Sequence, residues 1–538
     1  MHRNTQIFAR CLFVVAVVFA FAAAPSRAAG QATIRDIATD TTDPSNLADT
    51  EPSIAVNPTN TKEIVVVSFS ENWGSATDAP VWHSTDGGVT WSKAKQIPQP
   101  SLPGPPPVPT SGPGDQKIAY DASGKLFVAE LGLDSSLADH DFVFRQTGTS
   151  TAALTPGAAY GNDQPHLDVD RTTGKTCSGR LYSPWLNFGV SPERSTVSNS
   201  TNGGSSLTDV GVGDNSSFPN RTSRIALAPN GSAYLVYKTR EGAVSGVHLP
   251  GSSASDFENA HFRVKRSDDC GATWGALGTA GTSVHGSSTV QTFFTINWGV
   301  TGTGRKVARA RSSDDWIATD PSNGDVYVAF VERDSSTFGQ IYVAHSKDKG
   351  ATFTAHRVTD GTHHSAYPEI AVAGNGTVGV LYIDFLDTGS ATNFRHRFAR
   401  SFDQGLTWVD ENLQTMDVAT ISNASSGFLW GDYEGLTAAG NQFFGVFTGQ
   451  SISRTTKQLD PIFFTETSAK PTCPAGKTFC GNTCVNTKTD KNNCGTCGLK
   501  CTVIQACIAG GCETRCPAGT QECCGGDFCR RTCPKQCP

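Results

Sequence analysis

From Pro52 onward the chain alternates short apolar runs with turn residues. Pro52–Val56 leads into Ile64–Ser68, Lys117–Tyr120 into Lys125–Val128, Pro165–Val169 into Arg180–Tyr182, and Arg224–Leu227 into Ala233–Tyr237. Trp316–Thr319 leads into Asp325–Val328, Pro368–Val372 into Val378–Tyr382, and Tyr433–Thr437 into Phe443–Phe447. Brief runs rich in Val, Ile, Tyr and Phe between Gly, Asn and Asp predict strands, and a 3.6-residue period is nearly absent. Third strands such as Gln340–Ala344 follow, with a turn into a fourth. Four antiparallel strands per unit, recurring along the chain, predict an all-β fold: a β-propeller of seven blades, or six should one unit be an insertion. The seventh unit reaches Pro461–Phe464 and then lacks a fourth strand, which Thr33–Ile37 at the front of the chain can supply, closing the ring.

The turns into the fourth strands carry an eight-residue repeat. It reads Ser84-Thr-Asp86-Gly-Gly88-Val-Thr90-Trp91, then Ser267-Asp-Asp269-Cys-Gly271-Ala-Thr273-Trp274. It returns as Ser346-Lys-Asp348-Lys-Gly350-Ala-Thr352-Phe353 and Ser401-Phe-Asp403-Gln-Gly405-Leu-Thr407-Trp408, with a weaker copy at Ser200–Leu207 that has Asn202 for Asp. Asp and Ser fold back onto nearby N–H groups, Gly takes positive φ, and the closing aromatic is placed to pack between sheets. The motif resembles the Asp-box (BNR) repeat of the sialidase superfamily. That resemblance implies structural roles at the blade periphery for Asp86, Asp269, Asp348 and Asp403, and for Trp91, Trp274, Phe353 and Trp408.

Composition adds the compartment. Arg3 and Arg10 precede an apolar run from Cys11 to Ala23 and small residues around Ala28, the pattern of a cleaved export signal over 1–28. The run is too short to span a bilayer, and no later stretch is longer. Of 17 cysteines, 14 lie between Cys473 and Cys537, while Cys177 and Cys270 stand alone in the large region. This divides the chain into a propeller over 31–470 and a disulfide-stapled module over 471–538. The module's first half, with Gly481-Asn-Thr-Cys484-Val-Asn486 and Asn493-Cys-Gly-Thr-Cys-Gly498, resembles the stigma-specific protein family. Cys494-x-x-Cys497 has zinc-ligand spacing, but even cysteine numbers and the lack of tail histidines favour disulfides. A net charge of −6 without a basic stripe argues against nucleic acid as a partner.

Chemistry is expected where the inner strands begin and loops converge. A carboxylate stands at that point in six units: Glu51, Asp115, Asp163, Asp314 with Asp315, Glu369, and Asp432 with Glu434. The fourth unit has Arg221 and Arg224 instead. The ring could hold a sugar, or a structural cation such as calcium; no other cofactor and no metal site is indicated. An Asp ahead of a strand also caps loops, which is the competing reading of each residue singly. The sialidase resemblance implies a Tyr–Glu nucleophile pair, an Asp acid and arginines that grip a carboxylate. Tyr433, Glu434 and Asp115 are the positions for the first two roles, and Arg224 for one arginine; Tyr433 could instead pack between the last and first blades. At the first inner strand Glu51-Pro-Ser-Ile54 stands where the family has Arg-Ile-Pro. The expectation is a secreted propeller that recognises an extracellular glycan or cell-surface polymer, with exo-sialidase activity and structural adhesion as alternatives.

Overall fold

The computed structural model describes residues 32–530 apart from short internal stretches, chiefly 71–78, 148–153, 245–256, 299–307, 311–315, 387–392 and 423–430. The export signal, Asp314, Asp315 and Trp430 lie outside the described residues. Seven four-stranded antiparallel sheets follow one another, the first six running from inner to outer strand in chain order. Their inner strands are Asp49–Val56, Ser111–Tyr120, Asp168–Val169, Asn220–Leu227, Trp316–Thr319, His364–Val372 and Gly435–Ala439. Blade four carries an extra short strand, Val290–Phe293, on its third.

The ring closes as the sequence predicts. Thr33–Asp36 pairs with Leu459–Thr467, Ile34 standing opposite Phe464, so the first strand of the chain completes the last blade. The Pro- and Gly-rich stretch Ser101–Gly114 reads from sequence as a loop between blades one and two, but it is not simply that: Ser101–Leu102 pairs with Val108–Pro109, and from Ser111 the chain is already the inner strand of blade two. Gly112, at φ 119°, lets that strand bulge without a side-chain penalty.

Alternation along each strand fills the interfaces between blades. In blade two, Leu126, Val128, Phe142 and Phe144 pack against Val65, Val67 and Val81 of blade one. The intervening Phe127, Ala129 and Val143 pack against Val169 and Leu181 of blade three. The eight-residue repeats tie these interfaces at the rim. Ser84 Oγ accepts from Gly88 N–H at 2.9 Å, and Asp86 accepts from Val89 N–H, Thr90 N–H and the Thr90 hydroxyl. Asp269, Asp348 and Asp403 accept in the same way from Thr273, Thr352 and Thr407. Asn202 substitutes adequately in the weaker copy, its Oδ1 accepting from Ser206 N–H. Each closing aromatic packs on the preceding blade: Trp91 meets Phe463 of blade seven at 5.2 Å, and Trp274 is buried with Tyr182 and Val197 of blade three.

Cys177 and Cys270 are disulfide-bonded, linking blade three to the repeat of blade four. In the tail the described pairs are Cys473–Cys484, Cys480–Cys497, Cys494–Cys507 and Cys501–Cys512, so Cys494 and Cys497 belong to different bridges. Phe479 of the tail packs edge-on against Phe402 in the blade-six repeat. No described helix is long and apolar enough to cross a membrane.

Candidate functional site

The inner strands share a distortion at their first residues. Glu51, Asp115, Thr222 and Tyr367 all take left-handed backbone conformations, φ 46–55°, where the pairing with the second strand slips. Gln164, at φ 53°, holds the same place ahead of the short inner strand of blade three. A bulge turns the following side chains, and two residues on from these five stand Ser53, Lys117, His166, Arg224 and Glu369. Trp316 and Glu434 continue the series in blades five and seven. Together they form a throat across the central channel, with the cations Lys117 and Arg224 on the side of blades two and four and the carboxyl groups of Glu369 and Glu434 on the side of blades six and seven.

Aromatics and cations close this throat. Tyr433 lies buried with the Lys117 ammonium 4.2 Å and the Arg224 guanidinium 4.9 Å from its ring centre. Both cations also face Trp316, at 4.9 and 5.1 Å, and His166 meets the same indole edge-on at 5.1 Å. Tyr433 therefore reaches across the axis instead of filling the gap between the last and first blades. Its hydroxyl donates to Asp115 Oδ2 at 3.3 Å.

Above the throat the carboxylates gather. Glu51 Oε1 accepts from Asp432 N–H at 2.7 Å, and the Glu51 carboxyl shares a hydrogen bond with Asp115. Gly431 permits this approach: at φ 75°, a Cβ there would stand 1.8 Å from Glu51 Cγ. Burial, then the charges of Asp115 and Asp432, hold the Glu51 carboxyl well above the usual range. Burial also raises Asp115, opposed by the Glu51 hydrogen bond, Lys117, Arg224 and the Tyr433 hydroxyl. The two carboxyls therefore titrate as a coupled pair, with Glu51 pushed up the more strongly of the two. Asp163 is raised by burial and by Asp115, Asp139 and Asp432. Burial, Arg224 and Lys117 keep His166 neutral.

The expected ring is therefore uneven. Glu51, Asp115, Asp163, Asp432, Tyr433 and Arg224 come together. Arg221 does not: it pairs with Glu193 at 2.6 Å on the rim. Glu434 lies at throat level but is engaged by Thr448 N–H and His396, so it does not reach the Tyr433 hydroxyl. Asp315 is outside the described residues. Sequence reasoning missed Lys117, His166 and Trp316, although their shared register, two residues past the Glu51 and Asp115 positions, was readable.

A cavity of about 780 Å³ runs from the throat residues Lys117, His166 and Trp316 to the other end of the channel, among Pro58, Thr172, Lys175, Pro229 and Gly440. Its charged wall is largely self-satisfied, Arg171 bonding Asp168 and Tyr120 O. The groups with unusual protonation and convergent polarity are at the bulged end, which is the better candidate.

No protein family and no curated protein matches the sequence. Among solved structures, the chain is similar to an ulvan lyase of a polysaccharide lyase family, with a TM-score of 0.46 and 9% identity over 78% of this chain and 94% of that one. It is also similar to the alpha-L-arabinofuranosidase of Fusarium graminearum, with a TM-score of 0.40 and 10% identity over 65% and 92% of the two chains. For the leech intramolecular trans-sialidase the TM-score is 0.38, with 12% identity over 65% and 67%.

Proposed function

We propose that the protein is an exported Asp-box propeller, spanning 31–470 behind a signal over 1–28, which binds an extracellular glycan or cell-surface polymer at its bulged mouth. The 471–538 module, read as stigma-specific-like, attaches or protects it. One observation carries this reading: Tyr433 is met from several blades at one end of the axis, by Asp115 at its hydroxyl and by Lys117 and Arg224 at its ring. Sugar recognition uses such a mixture, with carboxylates accepting from hydroxyls and aromatic faces covering the ring.

A second reading, glycoside hydrolysis, is favoured by the coupled pair of Glu51 and Asp115, in which burial pushes Glu51 well above the usual carboxylate range. An uncharged carboxyl next to an ionised one is the division of labour that acid–base cleavage of a glycosidic bond requires. Glu51 would donate to the leaving oxygen and Tyr433, in contact with Asp115, would face the anomeric carbon. Arg224 is the arginine of the expected trio found in the described cluster, which supports recognition over sialoside hydrolysis.

The test is turnover of a fluorogenic sialoside by the mature protein and its Tyr433→Phe variant, run beside a glycan array. Binding to a defined glycan, weakened about tenfold or more by Asp115→Asn, is the expected result. Turnover abolished by Tyr433→Phe would promote hydrolysis, with activity falling as alkaline pH removes the Glu51 proton. Neither binding nor turnover by a folded protein would overturn both readings and point to adhesion through protein contacts.

A further inference from the structure

We infer that the protein holds a hard divalent cation, of the calcium type, at the buried carboxylates between blades two and three, with Asp141 as its central ligand. Asp139 and Asp141 alternate along the third strand of blade two, Asp139–Gln146, and so present both carboxylates to the same side. The chain leaving blade two crosses directly over them. Asp141 stands in register with Tyr160, and Gly161 lies so close that a Cβ would sit 2.1 Å from Asp141 Oδ2. Asn162 Nδ2 reaches Asp139 O at 3.5 Å, and the next residue, Asp163, brings a third carboxylate.

Asp141 is the observation that points to a ligand. It is 0% exposed, and neither of its carboxylate oxygens has a hydrogen-bond partner. Asp139 Oδ1 and Gln164 Oε1 are likewise buried without a donor. A buried carboxylate left unbonded is among the most unfavourable arrangements a fold can hold, and here its neighbours are also acidic. Burial and the repulsion of Asp163, Asp115 and Asp139 push Asp141 well above the usual range, and Asp139 rises to about 6. Either protons or a cation can settle such a group.

The donors are carboxylate and amide oxygens without histidine or cysteine, which suits calcium and not zinc or copper. No three carboxylate oxygens among the described residues stand close enough together to share one ion directly. Asp141 with one neighbour would therefore supply the carboxylates, and amide, main-chain or water oxygens the remainder, an irregular shell that calcium accepts and magnesium does not. This site does not depend on the proposed function, and a glycan could bind whether or not the ion does.

The experiment is calorimetric titration of calcium chloride into the mature, chelator-stripped protein, with thermal unfolding at each calcium level. One ion per chain is expected, with a dissociation constant of about 10⁻⁴ M and a rise in melting temperature on saturation. Asp141→Asn should weaken binding at least about tenfold, and Asp139→Asn, nearer the surface, serves should the first variant fold poorly. No heat and no thermal shift at about 10 mM calcium, some hundred times that constant, would overturn the inference. So would an Asp141→Asn protein that binds calcium and gains melting temperature with it as the wild type does, since Asp141 would then not be a ligand.

Discussion

Replacing Gly88 by alanine tests how the propeller is held closed. Gly88 sits in the blade-one repeat at φ 84°, and a Cβ added there would lie 2.2 and 2.5 Å from ring carbons of Phe463 in blade seven. Its neighbour Gly87 is a built-in control: φ is 82°, and nothing lies within 4 Å of an added Cβ. Both substitutions put alanine in a left-handed conformation, at about 1–2 kcal/mol. Only Gly88→Ala must also displace a fully buried ring that packs on Trp91 at 5.2 Å, and overpacking of that kind costs about 1–3 kcal/mol more. Gly88→Ala should therefore destabilise by about 2–5 kcal/mol and Gly87→Ala by about 1–2. Urea unfolding followed by tryptophan fluorescence reads the difference as a shift in midpoint at unchanged slope. A cycle with Phe463→Leu locates its source, because the double variant should lose about 1 kcal/mol or more less than the two single losses added. Equal effects at 87 and 88, or an additive cycle, would refute the claim that the first blade's repeat bears on the seventh blade's core.

The repeats should also give acid sensitivity. Hydrogen bonds from Thr90 and Thr352 hold Asp86 and Asp348 down at about 2, below the value of about 4 in an unfolded chain. Their contribution is complete above pH 4 and is lost as pH falls towards 2, so the stability gap between wild type and Asp86→Asn/Asp348→Asn should shrink over that interval; a gap independent of pH would contradict it. Cys177→Ser/Cys270→Ser removes a cross-link between residues 93 apart, and chain entropy predicts a loss of about 4–5 kcal/mol in the unfolding free energy, measured without reductant. An unchanged midpoint would mean that blades three and four are fixed equally well by packing alone.

The seven blades were legible because the information was repeated. Each inner strand reads as an apolar run before a turn, and four good copies of one hairpin mark where third strands turn into fourth. Even the ring closure could be read, since a seventh unit ending at Phe464 needed a partner and Thr33–Ile37 was the unassigned strand nearest to hand. Ser101–Gly114 misled because proline and glycine usually signal loops, yet glycine is also what a bulged strand uses. The disulfide between Cys177 and Cys270 was a plausible pairing, but only their positions on adjacent turns decide it. In the site, attention to carboxylates ahead of each strand found Glu51, Asp115, Asp163 and Asp432. It could not separate Arg224 from Arg221, because three residues apart in a regular strand would face opposite sides, and the slip between Arg221 and Ser223 alters that count.

The bulges suggest why two of those residues, Glu51 and Asp115, are acidic and not glycine. Five non-glycine residues in the left-handed region at equivalent points represent about 5–10 kcal/mol of local strain by the ordinary steric penalty. Glycine would relieve nearly all of it, and this chain uses glycine freely elsewhere, with 55 in all. In the repeats, strained positions such as Lys349 and Gln404 are exposed and neighbour a glycine, and the turn's own Ser and Asp bonds hold them in place. At the mouth the compensation is different. Glu51 and Asp115 bond to each other, Asp432 donates its N–H to Glu51, and Tyr433 donates to Asp115, so the strained backbone is held by the same side chains it positions. A propeller that needed only to close its ring would have no reason to concentrate strain and buried, mutually bonded carboxyl groups at one end of its axis. That concentration, more than any single residue, is what supports the bulged end as the proposed binding face.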